Sequence, residues 1–384
     1  MKTNKVKYIQ LLLLGLAVSF VSFGQTPMAQ KLDKFMALKK NKADGITWFD
    51  VREAPFDLAG FEWIKQDSVY RRLPLQPDWE IPEAVDHLAN QTAGGQVRFQ
   101  TNGNRFFLKV ELLERSAMYH MPATGQSGFD VYVKREGVQR YLKTTRFPHD
   151  TLRYQQEFKL GETNKMQMVT LNFPLYNGVK SVSIGLEEDA LVKSPQSFTF
   201  PGKIVIYGTS ITQGGCVSRP GMAYSNILSR KLDAEFVNLG FSGSGKGEPE
   251  LAHIINQISE KSFIIIDYEA NANKTIQNTI GRFVEILREK HPRIPILIMS
   301  KIRYTSAIDG SEAFEQLVSN RDFQKNLVAK RQKNGDNNVY FLDGTTVLGE
   351  DYHECTVDGS HPTDLGSYRI ANSLLEKIRE ILNP

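Results

Sequence analysis

The sequence predicts an all-β sandwich or jelly roll, followed by an α/β domain whose parallel sheet is flanked by helices. Three observations lead there. Short strand-like runs with Asn-Gly turns fill the chain up to about residue 186. A Ser-Pro-Gln-Ser stretch at 194–197 and Pro201-Gly202 mark a linker. Beyond it, short β-branched runs alternate strictly with helix-length segments.

At 384 residues, the chain is long for a single core and suits two domains. Hydrophobic residues make up 41% and charged residues 23%, which excludes disordered and collagen-like architectures. The first 24 residues read as a signal peptide. Lys2, Lys5 and Lys7 precede an apolar run at 11–21, and small and polar residues follow. The apolar run is short for a membrane span, so the expectation is export to the periplasm or outside the cell. Loss of those three lysines takes the formal charge from +4 to about +1. A near-neutral chain has no general electrostatic attraction for nucleic acid or an anionic membrane.

The predicted sandwich covers residues 26–195. Strands are expected at 97–100 and 105–112, joined by Asn102-Gly103 as a hairpin, then at 129–134, 141–145, 167–173 and 179–186, with Asn177-Gly178 as a further turn. The second domain covers 201–384. Its strands are expected at 203–207, 236–239, 263–267, 296–299 and 339–342, with helices at 223–232, 249–258, 275–290, 312–333 and 364–381. Ligands bind such sheets at the carboxyl ends of the strands.

Those ends carry the chemistry-bearing residues. The first strand runs into Gly208-Thr209-Ser210, where a serine in a turn can expose its hydroxyl and its N–H together. Such serines are more commonly caps. Thr212 also breaks the G-x-S-x-G elbow. The second strand ends in a glycine-rich run, Gly240 to Gly247. It fits the start of a phosphate loop but lacks the Ser or Thr after Lys246. It better suits backbone N–H groups approaching an oxyanion, Gly243 among them. The third strand ends in Asp267-Tyr268-Glu269-Ala270-Asn271. The Asn271 amide is a neutral donor, and Asn273 is the natural N-cap of the next helix. Asp358-Gly359-Ser360-His361 precedes the last helix and puts an acid and an imidazole on one turn. His353 and Cys355 suggest a metal, but no H-E-x-x-H follows, so neither metal nor cofactor is expected.

Taken in order, serine, glycine, asparagine and Asp-x-x-His resemble the four blocks of the SGNH (GDSL-type) hydrolases, with Gly-Thr-Ser for Gly-Asp-Ser. Gly128-Phe129-Asp130-Val131-Tyr132 resembles the Gly-x-Asp-Leu-Tyr motif of a bacterial branch with a preceding β-sandwich. The resemblance implies a flavodoxin-like SGNH fold and a serine esterase. Ser210 would be its nucleophile, and His361 and Asp358 its base and orienting acid. The Ser210 and Gly243 N–H groups and Asn271 would form the oxyanion hole.

The expected substrate is a small-molecule or glycan ester, an O-acetyl ester on carbohydrate first. Glu269, Arg303 and Tyr304 are candidate substrate contacts. The alternatives are a thioesterase or arylesterase, or a non-catalytic carbohydrate binder on a hydrolase fold. Trp48, Trp63 and Trp79 could stack on sugars but read better as core or interface residues. Cys216 and Cys355 lie near proposed site residues, and the sequence leaves their pairing open.

Overall fold

Period-two alternation builds the first part of the chain. The computed structural model describes residues 45–161 and 165–383, so the predicted signal peptide lies outside the described residues. In strand β4 (Arg105–Leu112), Phe106, Leu108, Val110 and Leu112 point inward and the residues between them outward. β4 belongs to a sheet ordered β1 (Ile46–Asp50), β9 (Val179–Glu187), β4, β7 (Arg153–Lys159). The facing sheet is ordered β10 (Val192–Lys193), β3 (Gln96–Thr101), β8 (Gln167–Asn172), β5 (Asp130–Arg135), β6 (Val138–Thr144), with β2 (Asp57–Ala59) also on β3. All pairs are antiparallel, and aromatic and aliphatic side chains from both sheets fill the space between them.

The expected hairpin at Asn102-Gly103 is not one. β3 and β4 lie in different sheets, so this turn carries the chain across the sandwich. Asn177-Gly178 does the same between β8 and β9. Neither Gly103 nor Gly178 has positive φ, which the tight two-residue hairpin turn requires. That geometry occurs at Glu136-Gly137 (φ 54° and 81°), which joins β5 to β6 within one sheet.

The second part is a five-stranded parallel sheet ordered β12 (Glu235–Gly240), β11 (Lys203–Gly208), β13 (Lys261–Asp267), β14 (Ile296–Met299), β15 (Val339–Leu342). Its helices are α1 (Ser210–Gln213), α2 (Tyr224–Leu232), α3 (Pro249–Gln257), α4 (Ile276–Lys290), α5 (Glu312–Lys333) and α6 (Asp364–Leu382). Both faces are covered. Val205, Tyr207, Ile264 and Ile266 pack with α3 and α4, while Ile204, Ile206, Phe263 and Ile265 pack with α2 and α6. Each such buried aliphatic side chain contributes about 1.5–3 kcal/mol. The 2-1-3-4-5 strand order puts the topological switch point between β11 and β13, where Ser210 follows β11.

The expected cap at Asn273 is also corrected. Asn273 closes a short turn, Glu269–Ala272, with φ 45°, and α4 starts after Thr275 without a side-chain cap. Among the described residues, no helix is long and apolar enough to cross a membrane.

The described residues form one compact unit. Trp63, Leu73, Val85 and Ala89, which precede β3, join the core on the α3/α4 side of the parallel sheet. Trp79 stacks on His253 at 5.0 Å, and Trp48 lies under the Lys109 ammonium. Trp63 and Trp79 are therefore packing residues.

Candidate active site

Ser210 starts α1, directly after β11. Thr209 caps this turn: its hydroxyl accepts from the Ile211 N–H, and the Thr212 hydroxyl accepts from the Thr209 N–H. The Ser210 N–H, at the first helical position, has no intrahelical acceptor. Below it, the buried Asp267 at the end of β13 accepts from Tyr224 Oη (2.7 Å) and Thr212 Oγ1 (3.1 Å). Burial raises the Asp267 carboxyl to about 7, opposed by those two hydrogen bonds.

The loop before α6 brings the other groups. Ser210 Oγ lies 2.9 Å from His361 Nε2, and His361 Nδ1 lies 2.7 Å from Asp358 Oδ2. The second oxygen, Asp358 Oδ1, accepts from the N–H groups of Ser360 (3.1 Å) and His361 (2.8 Å). Burial disfavours the Asp358 anion. The hydrogen bonds from the His361 backbone and ring and the Ser360 backbone outweigh it, holding the carboxyl well below the usual range. Gly359 has φ 90°, and its carbonyl accepts from the Thr305 N–H at 3.0 Å. Serine, imidazole and carboxylate thus form one continuous hydrogen-bonded chain at the switch point.

Gly243 lies in the turn after β12 with φ 68°, and its N–H has no acceptor among the described residues. Asn271 Nδ2 donates to Phe241 O of the same turn (3.2 Å), which leaves its second amide hydrogen uncommitted.

Each of the three candidate substrate contacts has partners within the protein. Glu269 is fully buried and accepts from the Lys301 N–H (2.6 Å) and Gln324 Nε2 (2.7 Å), so its carboxyl faces the protein interior. Arg303 pairs with Asp309, and its guanidinium lies over the rings of Tyr352 and Phe314. Tyr304 packs against the α2/α6-side core, with the Lys301 ammonium above its ring. Both Cys216 and Cys355 are free and buried. Burial, with Asp358 nearby, pushes the Cys216 thiol up to about 12.

Residues that sequence reasoning missed come from the sandwich side. Asp130, in the Gly-x-Asp motif, is wholly buried. It accepts from Arg219 Nη1 (2.7 Å), the Gly221 N–H (2.8 Å) and Asn172 Nδ2 (2.8 Å). Thr124 Oγ1 donates to Ser218 O at 2.6 Å. Together these bonds clamp the loop that follows Ser210. The fully buried Arg72 donates to the carbonyls of Asn238 (3.3 Å) and Gly240, and its guanidinium lies 4.7 Å from the Phe241 ring centroid, just before Gly243. Gln213 Nε2 reaches Leu175 O (3.0 Å), and its Oε1 accepts from the Ser242 N–H (3.1 Å). The motif residue Asp130 was the one available signal for these contacts.

Fold and site together define an esterase-type hydrolase. Residues 202–379 match the GDSL-like lipase/acylhydrolase family, and residues 46–192 match the GxDLY N-terminus of SGNH-hydrolase-type esterases. A solved structure from Bacteroides ovatus, assigned as a GDSL-like lipase, shares 31% identity over 88% of this chain and 98% of its own, with a TM-score of 0.80. The chain belongs to the GDSL-like (SGNH) hydrolase family. Its fold is also similar to that of a salicylyl-acyltransferase from a tetracycline biosynthetic pathway (18% identity, 89% and 99% covered, TM-score 0.74). A family two carbohydrate esterase from Cellvibrio japonicus is similar in fold as well (16%, 88% and 98%, TM-score 0.55). Among curated proteins, no sequence matches this one.

Proposed function

We propose that this chain is an exported esterase that removes acyl groups, O-acetyl first, from carbohydrate, with Ser210 as nucleophile. The observation that carries the reading is the Ser210–His361–Asp358 chain at 2.9 and 2.7 Å. In this mechanism, His361 Nε2 takes the Ser210 proton as Oγ bonds to the ester carbonyl carbon. Asp358 fixes the ring and stabilises the imidazolium. The oxyanion sits among the Ser210 and Gly243 N–H groups and the Asn271 amide. His361 then gives its proton to the departing alkoxide as the C–O bond breaks. Water, deprotonated by His361, releases the acid and restores Ser210.

Two further observations support export and a carbohydrate substrate. The apolar leader at 11–21 supports export, and the fold is similar to one carbohydrate esterase. A non-catalytic binder would have no use for all three hydrogen-bonded groups in this order. The test is acetate release from a panel of acetylated glycans, alongside fluorophosphonate labelling. Native protein is expected to be labelled and to release acetate, and Ser210→Ala to do neither while melting at the same temperature. Full activity in Ser210→Ala would overturn the nucleophile, and an unlabelled native protein would favour the binder.

A further inference from the structure

We propose that His120, Cys216 and His361 form a binding site for a thiophilic divalent cation, zinc above all, and that its occupancy switches the hydrolase off. One ligand atom from each of the three residues lies within 4.8 Å of the others. A tetrahedral zinc with one sulfur and two nitrogens needs these atoms about 3.4–3.6 Å apart, so closure by roughly 1 Å completes the set. The N,N,S donor set suits zinc and excludes the hard cations that require oxygen ligands.

His120 supplies an independent sign. Its Nδ1 is buried and has no hydrogen-bond partner, a costly arrangement for an imidazole unless a ligand uses the atom. The ring is held in place. It stacks on Tyr119 at 4.4 Å and meets the His361 ring edge-on at 5.6 Å. Its loop is tied down by Gln126, which accepts from the Met118 N–H (3.0 Å) and the Ser116 hydroxyl (3.1 Å) and donates to Met121 O.

His361 Nδ1 is committed to Asp358, so the nitrogen left for a metal is Nε2, the one that faces Ser210 Oγ. A carboxylate behind a histidine is also the arrangement that orients metal-bound imidazoles. Binding forms a metal–sulfur bond at Cys216, and the thiol proton leaves to solvent. The nitrogen that would accept the Ser210 proton is then occupied by the cation. The loss of activity rests on the proposed role of His361; the binding itself does not.

The full chain, freed of metal by a chelator, is titrated with zinc chloride while it hydrolyses p-nitrophenyl acetate. Activity is expected to fall as one equivalent binds and to return with EDTA. Cobalt(II) in place of zinc is expected to give a thiolate-to-cobalt charge-transfer band. His120→Gln and Cys216→Ser should keep the metal-free activity, raise the zinc needed for inhibition at least about tenfold, and, for Cys216→Ser, lose the band. Three results each overturn the proposal: unchanged inhibition in both variants, activation by zinc, or no thiolate band in native protein. A chain that shows the band but never hydrolyses an ester keeps the metal site and loses the Ser210 reading.

Discussion

Two loops flank the Ser210 hydroxyl, and they are held in opposite ways. The loop carrying Asp358 and His361 is tied mainly within itself, with Thr305 as an outside donor to the Gly359 carbonyl. A bridge pairs Thr356 with Pro362, and Asp358 gathers the N–H groups of its own next residues. The loop after Ser210 is held from outside, by Asp130 and Thr124 of the sandwich and by Asp364 of α6, which accepts from the Ser218 N–H at 2.8 Å. The geometry of the proposed relay is thus set mainly by short-range contacts, while the wall beside Ser210 depends on chain about ninety residues or more away.

Substitutions in each loop separate the two modes. The largest effect is expected from Asp358→Asn, which keeps the loop's shape but favours the wrong imidazole tautomer. A fall in kcat of about 10⁴ with unchanged stability is expected, and a loss below tenfold in stopped-flow or steady-state assays would show that His361 is oriented without Asp358. Asp130→Ala acts on the other loop. It strips Arg219 and the Gly221 N–H of a buried acceptor and is expected to cost about 3–5 kcal/mol. Urea unfolding checks this; a cost near zero would mean that the loop holds itself.

Between the loops, Asn271→Ala is expected to slow turnover by about 10²–10³ with little change in stability. Single-turnover kinetics decide it, and a larger loss in Asn273→Ala would move the proposed oxyanion donor to Asn273. The smallest effect concerns Asp267 beneath α1. Its folded carboxyl, at about 7, binds its proton more tightly than an unfolded aspartate. The resulting stability is present below about pH 4 and lost as pH rises through about 7, with a slope of at most about 1.4 kcal/mol per pH unit. Asp267→Asn should flatten that part of the stability profile, and an unchanged profile would place the titration elsewhere.

The same contrast explains what could be read from sequence. All five parallel strands and the self-tied Asp358–His361 turn are short-range patterns, and they stand where alternation and spacing place them. The sandwich was less legible. β7, with Gln155, Gln156 and Glu157 at its centre, has too little apolar alternation to stand out. The Asn-Gly pairs mark turns, but the sheet joined on each side depends on long-range pairing that no local signal carries. Glu269 looked available for substrate because it follows a strand end. Its burial depends on Lys301 and Gln324, far along the chain. Arg72 belongs to no motif, and the four carbonyls that it caps are visible only in the folded chain.

Arg72 has a consequence for anyone who cuts or recombines this gene. A fragment starting at residue 201 would keep every residue of the proposed relay but leave the carbonyls of Asn238 and Gly240 without their guanidinium donor, at the base of the Gly243 turn. It would also lose Trp63, Leu73, Val85 and Ala89 from the apolar layer over the parallel sheet. The two halves are therefore poor interchangeable cassettes, and chimaeras between relatives should carry the 61–95 segment along with the hydrolase half that it caps.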